Sequence, residues 1–289
     1  TGSRNDIGAH YDLSNVFFAL FLDPTMIYSC AVYITPQDTL EQAQLNKINS
    51  LLQKAQICSS DHVLEIGSGW GGFAIEAVRK TGCRVTTITI SKEQYDYVRN
   101  RVEELGLQDK INVELLDYRK VSGQFDKIVS VEMLEAVGSK YYGEFFRCCD
   151  TLLKPGGRMV LQVITIPDER YDDYNRSVDW IQKYIFPGGE LPCLQVLNQA
   201  MKNNSGFIVK DLENIGEIRI EHKKGIVCIV GEGMKKTPGI AARAFTALAN
   251  TNINIEMISE GASEINLTLV VEEEDVDKAV RVLHDEFFK

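Results

Sequence analysis

The run His62-Val63-Leu64-Glu65-Ile66-Gly67-Ser68-Gly69-Trp70-Gly71-Gly72 constrains the fold more than any other stretch. Val63, Leu64 and Ile66 read as a short buried strand, and Phe73-Ala74-Ile75-Glu76-Ala77-Val78 reads as a helix. Between them the glycines must turn the chain tightly. A side chain there would collide with a ligand lying on the backbone, and some of the turn positions call for positive φ. Strand, glycine loop and helix together form the nucleotide-cradling unit of doubly wound α/β folds.

Glu65, two residues before the first glycine, narrows the ligand. A carboxylate at the strand end discourages a pyrophosphate and suits a ligand carrying an ammonium. S-adenosylmethionine (SAM) has that ammonium, a sulfonium and no phosphate. The competing reading, an ordinary tight turn, remains open for a glycine loop taken alone.

The bulk numbers exclude other classes. A net charge of −10 over 289 residues opposes the wrapping of nucleic acid, which needs a basic face. It equally opposes broad adsorption to anionic membranes, leaving local insertion of an apolar surface. Seven cysteines, with no CxxC pair and no His at ligand spacing, read as reduced thiols of a cytoplasmic protein without a structural metal. No apolar run reaches membrane-spanning length.

From Leu40 the pattern alternates helix and strand, which predicts a Rossmann-like parallel sheet with helices on both faces. Helices are expected over 40–55, 72–80, 92–105 and 141–153. Strands are expected over 63–66, 84–90, 111–116, 125–131 and 158–166, with Lys154-Pro155-Gly156-Gly157 as a turn before the last. Residues 167–216 are more polar, with helices interrupted by prolines and glycines. The character changes near residue 217, dividing the chain into domains 1–216 and 217–289. The second reads as strands 217–222 and 226–230, a helix 240–249, strands 253–259 and 264–271, and a helix 276–287. Thr237 and Pro238 are expected to start the first of these helices. This is a ferredoxin-like α+β unit whose fourth strand must come from Glu217–His222 or from a partner.

Five ordered strings then carry a resemblance: His10-Tyr11-Asp12-Leu13-Ser14-Asn15, Tyr28-Ser29-Cys30-Ala31, Val131-Glu132-Met133-Leu134-Glu135-Ala136-Val137-Gly138, Ile166-Pro167-Asp168-Glu169-Arg170-Tyr171 and Tyr184-Ile185-Phe186-Pro187-Gly188-Gly189. Residues 7–216 resemble the cyclopropane-fatty-acyl-phospholipid synthases, nearest the plant-type branch. Gly231-Glu232-Gly233-Met234, Thr237-Pro238-Gly239-Ile240-Ala241-Ala242-Arg243 and Asn254-Ile255-Glu256-Met257-Ile258-Ser259 resemble the carboxy-terminal ACT domain of aspartate kinases. The kinase's catalytic half has no counterpart, so the chain reads as a fusion.

Residue chemistry and resemblance together nominate the sites. Gly67, Gly69 and Gly71 let the loop approach SAM, with Glu65 at its edge. No acid stands after the second strand to bind a ribose, and the resemblance assigns Thr89 and Gln94 that part. Asp117, after the third strand, stands where an adenine-amino partner would sit, against the reading of a solvated turn acid. Tyr11 and Tyr28 belong to a segment that in the synthases folds over the cofactor. By the same resemblance Cys30, Glu135, Gln162 and Ile164 form the catalytic group, holding bicarbonate as the base; Gln162 stands where the synthases have His and cannot titrate. Taken singly, Cys30 reads as a buried thiol and Glu135 as a surface helix acid. The aromatic-rich stretch Phe17–Leu22 offers a wall for an apolar site, or simply a core helix. In the synthases, Glu213–Gly216 leads into a further segment that carries an active-site Tyr and closes the acyl pocket; here the ACT-like unit follows instead. In that unit Gly233, Met234, Thr237, Asn254 and Ile255 are candidates for an amino-acid effector site between paired copies, against a plain packing unit.

Three functions follow. The first is a SAM-dependent C-methyltransferase that adds a methylene across the double bond of unsaturated phospholipid acyl chains, peripheral to a membrane and paired through its ACT unit. The second is a SAM-binding regulatory protein without turnover. The third is a small-molecule N-methyltransferase, which shares the His-Tyr-Asp and Tyr-Ser-Cys strings.

Overall fold

Strand β1 (His62–Ile66) lies at the centre of a parallel sheet because both its faces are apolar: Val63 points to one side, Leu64 and Ile66 to the other, and all three are buried. The computed structural model describes residues 15–176, 178, 182–183, 186, 188–212, 224–230, 239–255, 257–260 and 266–288. Its contacts divide the chain into two compact units, Thr1–Glu213 and Asn214–Lys289.

In the first unit, β2 (Arg84–Thr89), β3 (Ile111–Leu115), β4 (Phe125–Val131) and β5 (Leu153–Gln162) join β1 in the order β3-β2-β1-β4-β5, every neighbouring pair parallel. The chain winds outward from β1 in one direction and then resumes at β4 on the other side. The sheet's switch point therefore falls between β1 and β4, where such folds bind ligands. Val63, Val85, Ile111 and Val129 face α2 (Leu40–Ala55), α3 (Gly72–Thr81) and α4 (Lys92–Glu104). Leu64, Ile88 and Ile128 face α5 (Tyr142–Leu152) and α7 (Leu194–Asn204). Short helices α1 (Asn15–Ala19) and α6 (Asp168–Tyr174) complete the unit. Local signals set the helix starts: the Thr39 and Ser91 side chains accept from the Gln42 and Gln94 amides.

Two sequence expectations shift. Lys154–Gly157 is not a separate turn but the start of β5, where Gly156 at φ 77° accompanies a register shift between Phe125 and Lys127. At its other end β5 stops at Gln162, short of Ile166, whose amide bonds Pro192 O at 2.9 Å.

The second unit is β6 (Lys224–Val230), α8 (Ile240–Ala249), β7 (Met257–Glu260), β8 (Asn266–Glu272) and α9 (Val276–Phe288), with an antiparallel sheet in the order β6-β8-β7. Val227, Leu267, Leu269 and Val271 pack against Ala244, Leu248, Ala279 and Leu283 of the two helices. Ile226, on the other face, is exposed. Gly239, at φ 86°, directly precedes α8, which corrects the expected Thr237 cap; Thr237 and Pro238, like Glu217–His222, lie outside the described residues. Among the described residues no helix is long and apolar enough to cross a membrane.

Candidate active site

The glycine turn has the geometry its composition demanded. Gly67, Gly69 and Gly71 stand at φ 95°, 47° and 84°, the left-handed region that glycine enters without strain. The Gly67 and Ser68 amides both bond Ile88 O at 3.0 Å, which ties the turn to β2. A Cβ on Gly67 would lie 3.1 Å from Met133 Cγ and one on Gly71 3.0 Å from Val98 Cγ1, so these two are small for packing. Gly69 is different, because its missing Cβ faces open space. That is where a ligand can reach the backbone.

Glu65 is 3% exposed, and its Oε2 has no hydrogen-bond partner. Burial pushes its carboxyl up to about 8, with the neighbouring Thr87 hydroxyl opposing the shift. A buried acid in this state is incomplete, and an ammonium donor would satisfy it and return it to the charged form. The chemistry of the site fits the amino-acid end of SAM.

At the end of β2, Thr89 Oγ1 donates to Gln94 Oε1 at 2.8 Å and accepts from the Ser91 amide at 3.1 Å. The Gln94 amide nitrogen keeps its donor capacity. Asp117 is more fully engaged than the sequence suggested. Arg119 gives it bonds from Nε at 2.9 Å and Nη2 at 2.6 Å, and the Arg119 amide adds one at 3.0 Å. These bonds, led by the Arg119 side chain, hold its carboxyl below the usual range. Oδ1 accepts two of these bonds and Oδ2 one, so Oδ2 retains a lone pair and an adenine amino group there would share Asp117 with Arg119.

Tyr28 lies half-buried among rings: 5.4 Å from Phe18, 6.4 Å from Trp70 and stacked at 6.4 Å on Phe186, centroid to centroid. Trp70, inside the glycine turn, packs 4.5 Å from Phe18 and donates from Nε1 to Asn15 Oδ1 at 2.7 Å. Of the expected aromatic wall, Phe18 is buried, whereas Leu20 is 79% and Phe21 49% exposed. Tyr11 lies outside the described residues.

The predicted catalytic group does assemble at the ends of β4 and β5. Ile164 donates its amide to Glu135 Oε1 at 2.6 Å, while Glu135 Oε2 is buried without a partner. Burial first, and the charge of Glu132 last among several causes, push Glu135 up to about 7. Gln162 Nε2 bonds Cys30 O at 3.1 Å. Cys30 itself is exposed and enters through its backbone. Its thiol is pushed up by burial and by Glu132, with Lys47 opposing, and so is no thiolate at neutral pH.

The hub of this group is a residue given no role from sequence. Glu132 Oε1 accepts from the Cys30 amide and from Gln162 Nε2, both at 2.8 Å, and the Glu132 amide donates to Gln162 O at 2.8 Å. Its position directly after β4, at the switch point, was the available signal. Lys47 was missed as well. It is 2% exposed, donates to Ser29 Oγ, and is pulled down to about 8 by burial against the opposing charge of Glu132. Helical periodicity marks Lys47 only as an α2 position, and its role depends on what the fold brings opposite it.

In the second unit, Asn254 is exposed and Ile255 packs against the core; both precede β7 and do not belong to it, which corrects the expected strand. Gly233, Met234 and Thr237 lie outside the described residues.

Comparison with known proteins identifies the family. The chain is 42% identical over 220 residues to a tuberculostearic acid methyltransferase of Mycobacterium tuberculosis, covering 74% of this chain and 51% of that one. It is 41% identical over 208 residues to the cyclopropane-fatty-acyl-phospholipid synthase of Escherichia coli K12, covering 72% and 51%. It thus spans about half the length of these curated relatives. A crystal structure of a mycolic acid cyclopropane synthase complexed with SAH and CTAB superposes with a TM-score of 0.67 at 30% identity, covering 86% of this chain and 84% of that one. The family model of an ACT domain matches residues 227–287. The model of mycolic acid cyclopropane synthetases matches residues 1–222, and the chain belongs to that family.

Proposed function

We propose that this protein is a SAM-dependent methyltransferase that modifies the double bond of unsaturated phospholipid acyl chains. One observation carries the reading: two carboxylates, Glu65 in β1 and Glu135 beyond β4, each keep a buried oxygen without a partner, on either side of the sheet's switch point. The first suits the ammonium of SAM. The second belongs to a polar group that can manage a proton.

SAM, when bound, supplies an electrophilic methyl group. Gly69 would admit it against the backbone, Glu65 would hold its amino-acid end, and Thr89 with Gln94 would meet its ribose. Asp117 would take the adenine amino group beside Arg119, and Tyr28 would cover the cofactor. The exposed Leu20 and Phe21 offer an apolar approach next to Tyr28, whose ring centroid lies 6.1 Å from that of Phe21. A lipid chain needs such an approach, because an acyl tail leaves a membrane only onto apolar surface. Peripheral contact with a membrane from the cytoplasm follows from this substrate.

The ACT domain is read as a regulatory unit that binds an amino acid and pairs with a second copy. The shared span with the curated relatives favours a second reading, SAM binding without turnover. Isotope-labelled SAM with vesicles of unsaturated phospholipid separates the two. Mass spectrometry is expected to find acyl chains heavier by one labelled methylene, and SAM binding without any such product would establish the second reading.

A further inference from the structure

The hydrogen-bond donors of the catalytic group are already taken by the protein itself. The Cys30 amide and Gln162 Nε2 meet on Glu132 Oε1 at 2.8 Å each, and the Ile164 amide is bound to Glu135 Oε1 at 2.6 Å. Those are the groups expected from sequence to hold bicarbonate. An anion placed among them would have to strip donors from two carboxylates and sit beside them, and like charges that close disfavour the ionised forms.

Glu132 is held there against its own backbone preference. Its φ is 46°, in the left-handed region, where a residue other than glycine is strained. The bond from its amide to Gln162 O fixes that conformation. Met133, the next residue, lies against Gly67 of the cofactor turn, so the strained position adjoins the place where SAM would bind. Both donors converge on Oε1, and Oε2 has no protein partner among the described residues. One oxygen is therefore anchored and the other is available.

We infer that Glu132 is the base of the reaction, its carboxylate occupying the place expected for bicarbonate and its Oε2 accepting the proton. The inference rests on the methyl-transfer reading. The electrons balance without any oxidant or reductant. The alkene π pair forms the first carbon–carbon bond to the methyl, and the carbon–sulfur bond pair departs with sulfur, leaving an electron-deficient carbon on the acyl chain. The C–H bond pair of the new methyl then closes the second carbon–carbon bond, and its proton passes to Glu132 Oε2 and on to solvent. The anchored oxygen keeps the carboxylate aimed through this step. Lys47, buried on α2, offsets the charge of Glu132. Glu135, pushed up to about 7, is partly protonated at neutrality, so the two acids do not carry two full charges.

The test compares wild type, Glu132→Gln and Glu132→Gly. Product is measured in buffer freed of carbon dioxide and again with added bicarbonate, with SAM affinity by calorimetry as the check on folding. Wild type is expected to work equally in both buffers. Glu132→Gln should bind SAM normally and lose product by about 100-fold or more, the usual worth of a general base. Glu132→Gly relieves the left-handed strain and opens the space, and bicarbonate should restore its product saturably. A wild type that needs bicarbonate, or a Glu132→Gln protein of full activity, overturns the inference. Titration of [13C]bicarbonate followed by NMR decides the same point without turnover: binding to Glu132→Gly alone supports it, and binding to wild type refutes it. A wild type that binds SAM yet modifies no unsaturated phospholipid defeats the functional reading separately, while the anion titration still decides what occupies the site.

Discussion

The two units treat buried polarity in opposite ways. In the first, Gln44, Glu65, Thr87, Glu135 and Gln162 each bury a polar atom without a partner. In the second, no such atom occurs among the described residues, and the core of Val227, Leu248, Leu267, Leu269, Val271 and Leu283 is apolar throughout. An unpartnered buried polar group costs about 1–3 kcal/mol. Four of the five lie in or just beyond β1, β2, β4 and β5, and Gln44 lies on α2. The second unit spends its interior on packing, as a small domain must to be stable. The first leaves these atoms open to a ligand, and the second leaves none open among the described residues.

The sharpest way to break this contrast is to fill the open turn. Gly69→Val places a β-branched side chain at φ 47° and into the space a ligand needs. SAM affinity should fall because the side chain fills the space, and a loss of about 100-fold corresponds to about 2.8 kcal/mol of binding free energy. Unchanged affinity in a folded variant, read by calorimetry, would move the cofactor site elsewhere.

Glu135 comes next. Glu135→Gln keeps the acceptor for the Ile164 amide and removes the titrating group, and product should fall about 10–100-fold with SAM binding retained. Full activity would reduce Glu135 to a structural support. Cys30→Ala should do much less, because the bonds of Cys30 at the site run through its backbone N and O.

Glu65 predicts a pH signature. Its folded value, about 8, lies above the ordinary glutamate value of 4.5, so the ligand-free native state keeps a proton that the unfolded chain has released. Its stabilising contribution is complete below about pH 4.5 and is lost as pH rises through about 8. SAM binding should show the reverse slope, strengthening as pH approaches 8, because the ammonium favours the ionised acid. Glu65→Gln should flatten both slopes, and a wild-type SAM affinity that is flat from pH 6 to pH 8 would contradict the assignment.

The smallest effect on the site should come from the other unit. Leu269→Ala empties a fully buried position and should cost about 2–5 kcal/mol of that unit's stability. SAM affinity should stay unchanged, and a parallel loss would show the two units to be coupled. In sedimentation the full chain should run as a dimer, and deletion of residues 217–289 should leave a monomer; a full chain that is monomeric at every concentration removes the pairing.

Much of this was legible in the amino-acid order, because the signals were local. Val63-Leu64-Glu65-Ile66 followed by glycines determines strand, turn and helix through burial and backbone freedom within a dozen residues. The alternation of periods determines a parallel sheet, and the contrast near residue 217 separates the units. Gly67, Gly69, Gly71 and Glu65 stand out in the sequence because strand and turn place them together. Glu132 and Lys47 do not. Glu132 touches Cys30, 102 positions earlier, and Gln162, 30 positions later. Its left-handed backbone follows from those bonds, not from its own preference, since glutamate alone avoids that region. Lys47 on α2 is a plain helix residue until α2 meets the loop carrying Ser29 and the ends of β4 and β5. Asp117 is the converse case: its position announced a ligand contact, and the fold placed Arg119 on it. Sequence determines elements because their energetics are short-ranged. Which side chains share a buried space, and therefore which charges must be balanced there, is decided only when distant strands close into one sheet.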